Sequence, residues 1–318
     1  MSVDETRTSA GRRRPRRLQS GDRVALVAPA SPVQPEDLAQ GAEELRRLGF
    51  EPVWDERVLA RHGYVAGTPD LRQAQLVEAW RDPRIRGIVA ARGGYGSQQL
   101  LPSLDPRWLA ADSKVFLGYS DVTALLAWHV GHGSVAFHGP MAEGRLARGP
   151  AAYDRASLLA AITQPAAMGT LAPPGVEVLR EGDAHGVLMG GTATQLAALL
   201  GTPFAWIPRE PTILFLEDVG ERPYRLDRLM TQLHQAGMFR AVRGLVLGTF
   251  PRCDEMGGGL TARGVLADLF AGFPGPVVFG FPSGHTDGPT WTLPFGVAAR
   301  LTAAPSGATL SIEEAAVC

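Results

Sequence analysis

Three residues of this chain stand where acyl transfer would need them. Ser120 follows the apolar run of "VFLGYSDVTALL", Glu217 closes "TILFLE", and His285 follows "VVFGFPSG". A serine at a strand-to-helix corner holds its hydroxyl out at the top of a sheet, with helix N–H groups aimed at whatever the oxygen attacks. To act as a nucleophile it needs a base, a group to orient that base, and donors for the tetrahedral oxyanion. His285 and Glu217 meet the first two needs, and nucleophile, acid, base is a chain order that serine hydrolases use. The N–H groups of Gly94 and of Asp121, the residue after the serine, would supply the donors, since glycine lets a backbone approach a ligand closely.

Each residue also has a plainer role open to it. Ser120 is a good helix N-cap, Glu217 with Asp218 can pair with Arg222, Arg225 or Arg228, and His285 can be a hydrogen-bonded loop histidine. Spacing alone does not choose between the two sets of roles. The loop "ARGGYGS" opens like a dinucleotide fingerprint, but Gln99 replaces its third glycine and no Walker lysine is present, so no nucleotide cofactor is expected. His129 and His132 lie three apart with His138 nearby, yet no acidic residue sits at a matching spacing and no H-E-x-x-H occurs. No metal is expected.

The elements that must position these residues follow from hydrophobic periodicity. "RVALVAPAS", "EPVWDE", "IRGIVAARGG" and "VFLGYS" read as strands, and they alternate with helical patterns such as "PEDLAQGAEELRRLGF", where Leu38, Ala42, Leu45 and Leu48 fall on one face. Such alternation predicts an α/β fold whose N-terminal domain, residues 20–162, is a doubly wound, mostly parallel sheet carrying the nucleophile. Residues 163–184 are rich in proline and glycine and read as a linker. Residues 185–318 read as a C-terminal, β-rich α/β domain carrying Glu217 and His285, with the active site in the cleft between the domains. Residues 1–19 read as a disordered, arginine-rich tail.

Composition excludes several classes of function. The 318 residues carry a net charge of −1 and are 45% hydrophobic. Six arginines fall within residues 1–17, and outside that tail 25 basic residues face 30 acidic ones, so the body is a poor partner for nucleic acid. "VALVAPA" is too short and too polar at its flanks for an export signal, and no apolar stretch approaches membrane-spanning length, so no membrane partner is expected. Cys253 and Cys318 give neither a metal spacing nor a disulfide framework, which makes the cytoplasm the expected compartment.

Several spaced motifs, in order, resemble the LD-carboxypeptidase family of serine peptidases: "GYVAGTPDLRQAQL", "WRDPRIRGIVAARGGYGS", "LLPSLD", "FLGYSDVTALL", "FHGPM", "LFLEDVGERPYRLDRLMTQL" and "GHTDGPTWTLPFG". The family includes muramoyl-tetrapeptide carboxypeptidases of murein recycling and microcin C immunity peptidases. The resemblance implies a triad of Ser120, Glu217 and His285, an oxyanion hole from the backbone of Gly94 and Asp121, no metal or organic cofactor, a small peptide or muropeptide substrate, and a homodimer. Arg92, Tyr95, Thr192, Arg225 and Trp291 are its substrate-binding candidates here. The chain departs from the family at Thr192, where asparagine usually follows Gly-Gly, and at Gln98 and Gln99, where a basic residue is frequent. The first reading is release of terminal D-alanine from the murein tetrapeptide. The alternative is cleavage of aminoacyl-nucleotide conjugates, with Trp206 or Trp291 as a platform for the base. A sensor that binds muropeptides without hydrolysis is the alternative of another class, and retention of all three triad residues argues against it.

Overall fold

Short apolar runs, buried along nearly their whole length, build the first sheet. The computed structural model describes residues 6–318. In chain order the first half holds β1 (Arg23–Val27), α1 (Pro35–Arg47), β2 (Glu51–Val53), α2 (Pro69–Arg81), β3 (Ile85–Ala90), α3 (Arg107–Ala111), β4 (Val115–Gly118), α4 (Thr123–Gly131), β5 (Ala136–His138) and α5 (Arg155–Thr163). The second half holds β6 (Ala167–Leu171), β7 (Glu177–Arg180), β8 (Gly182–Thr192), α6 (Ala193–Leu199), β9 (Thr212–Glu217), α7 (Pro223–Gln235), β10 (Val242–Leu247), α8 (Ala262–Leu269), β11 (Val277–Phe279), β12 (Leu293–Phe295), β13 (Ala298–Ala304) and β14 (Gly307–Ala315).

The first sheet has the order β12-β5-β4-β3-β1-β2, with β1 to β5 all parallel. This is a doubly wound arrangement, whose strand order reverses between β1 and β3, and ligands of such sheets lie beyond the strand carboxyl ends at that switch. The second sheet has the order β6-β14-β13-β8-β9-β10-β11-β7. Its centre, β8 to β11, is parallel, and antiparallel strands flank it on both sides.

The structure corrects two sequence expectations. Residues 163–184 are not a plain linker, because β6 and β7 form the two edges of the second sheet and β8 begins at Gly182. Proline and glycine there mark the turns between short edge strands. Residues 6–19 of the expected disordered tail are bound to the body; residues 1–5 lie outside the described residues. Arg13 exchanges backbone hydrogen bonds with Gly133 and Val135, Arg17 donates to the Cys318 carbonyl at 2.9 Å, and the Leu18 side chain is buried. Two arginines add ion pairs to these contacts. Arg14 pairs with Glu314 at 3.0 Å, and Arg12 pairs with Glu210.

The two halves share their elements. β12, from the second half, pairs antiparallel with β5 and closes the edge of the first sheet, with Leu293 opposite His138. Every side chain of α4 from Thr123 to Val130 is buried, as expected of a helix that is apolar all round. It packs against β4 and β5 on one side and against β8 and α6 on the other. The helix that begins just after Ser120 is thus the wall common to both sheets.

Candidate active site

Ser120 occupies a backbone conformation that side-chain-bearing residues avoid. Its φ is +63°, in the left-handed region, which costs a non-glycine residue on the order of 1–3 kcal/mol and persists where surrounding structure enforces it. β4 stops at Gly118, Tyr119 is extended, and Ser120–Val122 form one tight 3-10 turn before α4 starts. An N-cap serine would be in the β region with its oxygen on a helix N–H. Ser120 has neither feature, so the cap role considered from sequence does not hold. The space beside it is reserved by glycine: a Cβ on Gly93 would lie 2.8 Å from the Ser120 Cβ and 3.0 Å from its Oγ.

The glycine loop after β3 is braced against the serine turn. Gly94 has φ +96°, and a Cβ there would fall onto the Ser31 hydroxyl. Ser31 comes from the loop after β1, and its Oγ accepts from the Tyr95 N–H at 3.1 Å. The Asp121 carboxylate accepts from the Ser97 N–H at 2.8 Å, while the Ser97 hydroxyl donates to the Asp121 carbonyl. Burial drives the Asp121 pKa up, and the hydrogen bonds from Ser97 offset only part of that. Gly94 and Asp121 therefore belong to one rigid corner at the switch point of the sheet.

Glu217 is fully buried at the last position of β9, opposite Thr192 of β8. One of its carboxylate oxygens accepts from both the backbone N–H and the Nδ1 of His285, at 2.9 and 2.7 Å. The other accepts from the Thr192 hydroxyl. Burial alone would raise the Glu217 pKa, but the charge and hydrogen bond of His285, with His138 and Thr192 adding to them, hold it below the ordinary glutamate value. Burial likewise works to lower the His285 pKa, and the charge and hydrogen bond of Glu217 outweigh it, so the imidazole is more basic than an ordinary histidine.

Two connections join this pair to the serine corner. The Thr192 N–H donates to the Thr123 hydroxyl at 3.1 Å, which ties β8 to the head of α4. Tyr119, the neighbour of Ser120, sets its ring edge-on to the His285 ring with centroids 5.1 Å apart. Among the described residues no hydrogen bond joins Ser120 Oγ to His285, and contacts of this kind commonly tighten only around a substrate. Nδ1 is held by Glu217, which leaves Nε2 for a reacting proton.

Sequence reasoning missed the group that fixes the His285 loop. The buried Arg145 guanidinium donates to the carbonyls of Ala152, Gly284, Thr286 and Gly288 at 2.6–3.3 Å. It holds the loop on either side of His285, and no periodicity or motif around "MAEGRL" signals that. The sequence marks His138 only as part of a histidine group. It is buried, its Nδ1 meets the Ser283 hydroxyl at 3.0 Å, and burial lowers its pKa to about 4, so it is neutral at pH 7.

The five substrate-binding candidates separate. Thr192 is buried on Glu217, so the family departure sits behind the Glu217–His285 pair and not in the cleft. Arg92 donates to the Pro32 carbonyl and pairs with Glu143 at 3.2 Å. Tyr95 is exposed, edge-on to Tyr64. Arg225 lies on the outer face of α7, paired with Glu221. Trp291 packs on the core beside Phe281, and Trp206 lines a separate cavity with Trp128.

A cavity of about 390 Å³ opens on His285. Two larger ones, of about 700 and 600 Å³, contain no member of the Ser120, Glu217 and His285 set. The smaller one reaches that set through His285, with Tyr119, the neighbour of Ser120, also on its wall. A strained serine, a histidine oriented by a buried carboxylate, and a glycine loop at a helix head together suit acyl transfer.

Comparison with known proteins agrees. A sequence model of the LD-carboxypeptidase N-terminal domain matches residues 24–139, and one of the LD-carboxypeptidase C-terminal domain matches residues 185–301. A Streptomyces coelicolor protein, assigned only provisionally as a carboxypeptidase, is 41% identical over 96% of this chain and 97% of its own length. The murein tetrapeptide carboxypeptidase of Pseudomonas aeruginosa is 34% identical over 83% of this chain and 88% of its own. Among solved structures, the muramoyltetrapeptide carboxypeptidase of Oxalobacter formigenes superimposes with a TM-score of 0.81 at 31% identity, covering 92% of this chain and 99% of that one. The microcin C7 self-immunity protein in complex with aspartyl sulfamoyl adenosine, a protein known from Escherichia coli, superimposes with a TM-score of 0.88 at 26% identity, covering 96% and 99%.

Proposed function

The chain belongs to the LD-carboxypeptidase family, and from that premise we propose that it is a serine peptidase releasing terminal D-alanine from the murein tetrapeptide. The observation that carries this reading is the Glu217–His285 pair set beside the left-handed Ser120 turn. His285, oriented by Glu217, takes the Ser120 proton as the hydroxyl oxygen attacks the carbonyl preceding D-alanine. The N–H groups of Gly94 and Asp121 receive the negative charge on that carbonyl oxygen. As the tetrahedral intermediate collapses, His285 Nε2 protonates the departing amine. Water, activated by the same imidazole, then clears the acyl-enzyme.

The names of the murein relatives support the tetrapeptide as substrate, and the microcin immunity structures support the second reading, an aminoacyl-nucleotide conjugate. The test is D-alanine release from the purified tetrapeptide by wild type beside Ser120→Ala. Release that vanishes in the variant is the expected outcome. Folded wild type that releases none, but hydrolyses an aminoacyl sulfamoyl adenosine, would replace the first reading by the second.

The same reading includes a homodimer in the cytoplasm. The family resemblance supports the dimer, and two unpaired thiols, Cys253 and Cys318, suit a reducing compartment. Among the described residues no helix is long and apolar enough to cross a membrane. Light scattering at the mass of one 33.9 kDa chain would refute the dimer, and recovery of the protein outside the cytoplasmic fraction would refute the location.

A further inference from the structure

Two arginines that no motif singled out share the cavity with His285. Arg148 follows the Arg145 segment and Arg252 lies in the turn after β10; both are exposed, and both line the cavity with Tyr119, Arg145 and Asp287. Among the described residues neither side chain makes an ion pair or a hydrogen bond. Arg92 and Arg225 differ, since Glu143 and Glu221 already hold their guanidinium groups. Arg145 adds positive charge to the wall, but its terminal nitrogens are occupied by backbone carbonyls. Asp287 is the one acidic residue on this lining, so cations outnumber it.

The reaction gives that charge a place. Glu217 holds Nδ1 of His285, so the proton for the departing amine comes from Nε2, and the leaving group lies on the side of the serine that His285 occupies. In a carboxypeptidase that releases one residue, the leaving group is that residue with its free carboxylate. A guanidinium matches a carboxylate by paired, charge-assisted hydrogen bonds. We propose that Arg148 and Arg252 form the subsite that binds the carboxylate of the leaving C-terminal residue, and so confine cleavage to the chain end. The proposal rests on the serine-peptidase reading of the same site.

The test compares tetrapeptide ending in a free carboxylate with the same peptide ending in a carboxamide, on wild type, Arg148→Gln, Arg252→Gln and the double variant. Wild type is expected to favour the acid. Each single variant is expected to lose roughly 10- to 100-fold in kcat/KM on the acid, chiefly through KM, the range for one hydrogen bond to a charged group. The amide should change by less than about threefold, and Arg→Lys should restore part of the loss. Variants that lose equally on both peptides, or on neither, overturn the subsite. Wild type that cleaves neither peptide rejects the proposed activity instead. The subsite is then read from binding to Ser120→Ala protein: tighter binding of the acid that disappears with both arginines supports it, and equal binding of acid and amide overturns it.

Discussion

At the scale of single residues, Thr192 is where substrate reasoning and geometry part. Its hydroxyl donates to a buried Glu217 oxygen that has no access to water. Thr192→Val therefore leaves a buried carboxylate oxygen unpartnered, a loss of about 1–3 kcal/mol, and kcat is expected to fall roughly tenfold while Thr192→Ser keeps most of it. The pH dependence belongs to the same pair. As a base, His285 must be neutral, and Glu217 raises its pKa above the ordinary 6.5. kcat/KM should rise with pH through an apparent pKa above that value and fall on the acid side; an acid limb centred below it would refute the pairing. The stability contribution runs the opposite way. It is fully present below the unfolded histidine value and is lost as pH rises through the raised folded one.

At the scale of elements, the site depends on close approaches between loops that start at strand ends. β3 delivers Gly93 and Gly94, and β4 delivers Ser120, to one corner where a methyl group has no room. Gly93→Ala is expected to lower kcat/KM by roughly 100-fold, since displacement of a reacting atom by about 1 Å has that order of effect. Its circular dichroism should stay that of wild type. A fully active Gly93→Ala protein would show that the corner gives way. The β8–β9 pairing is equally exacting, because Gly190 has φ +155° and a Cβ there would fall onto the Phe215 carbonyl. That pairing sets Thr192 opposite Glu217.

At the scale of the whole molecule, the N-terminal segment fastens parts that are far apart in sequence. Arg12 reaches Glu210 before β9, Arg14 reaches Glu314 on β14, and Cys318 donates to the Pro15 carbonyl at 3.0 Å. None of these groups touches the Ser120, Glu217 and His285 set. Deleting residues 1–17 should lower Tm by a few degrees, at about 2 °C or less per kcal/mol lost for a chain of 318 residues. kcat at 25 °C should be unchanged. A deletion with wild-type Tm would show that the docking adds nothing to stability.

The sequence by itself determined the alternating elements of the first sheet, and it marks Ser120, Glu217 and His285 as candidates at or beyond strand ends. Strand-end positions are legible because burial demands an unbroken apolar run, and the serine, glutamate and histidine each interrupt or follow one. The parallel first sheet is legible for the same reason, from alternation of two periodicities. Only the tertiary structure decided what those residues meet. Thr192 turns toward Glu217 because β8 lies beside β9, Arg145 reaches the His285 loop from more than a hundred residues away, and the arginines near the N-terminus find Glu210 and Glu314. β6 and β7 form in a stretch rich in turn residues because an existing sheet edge offers them backbone partners. Such contacts arise from packing between distant segments, and local sequence carries no record of which distant segment will be adjacent.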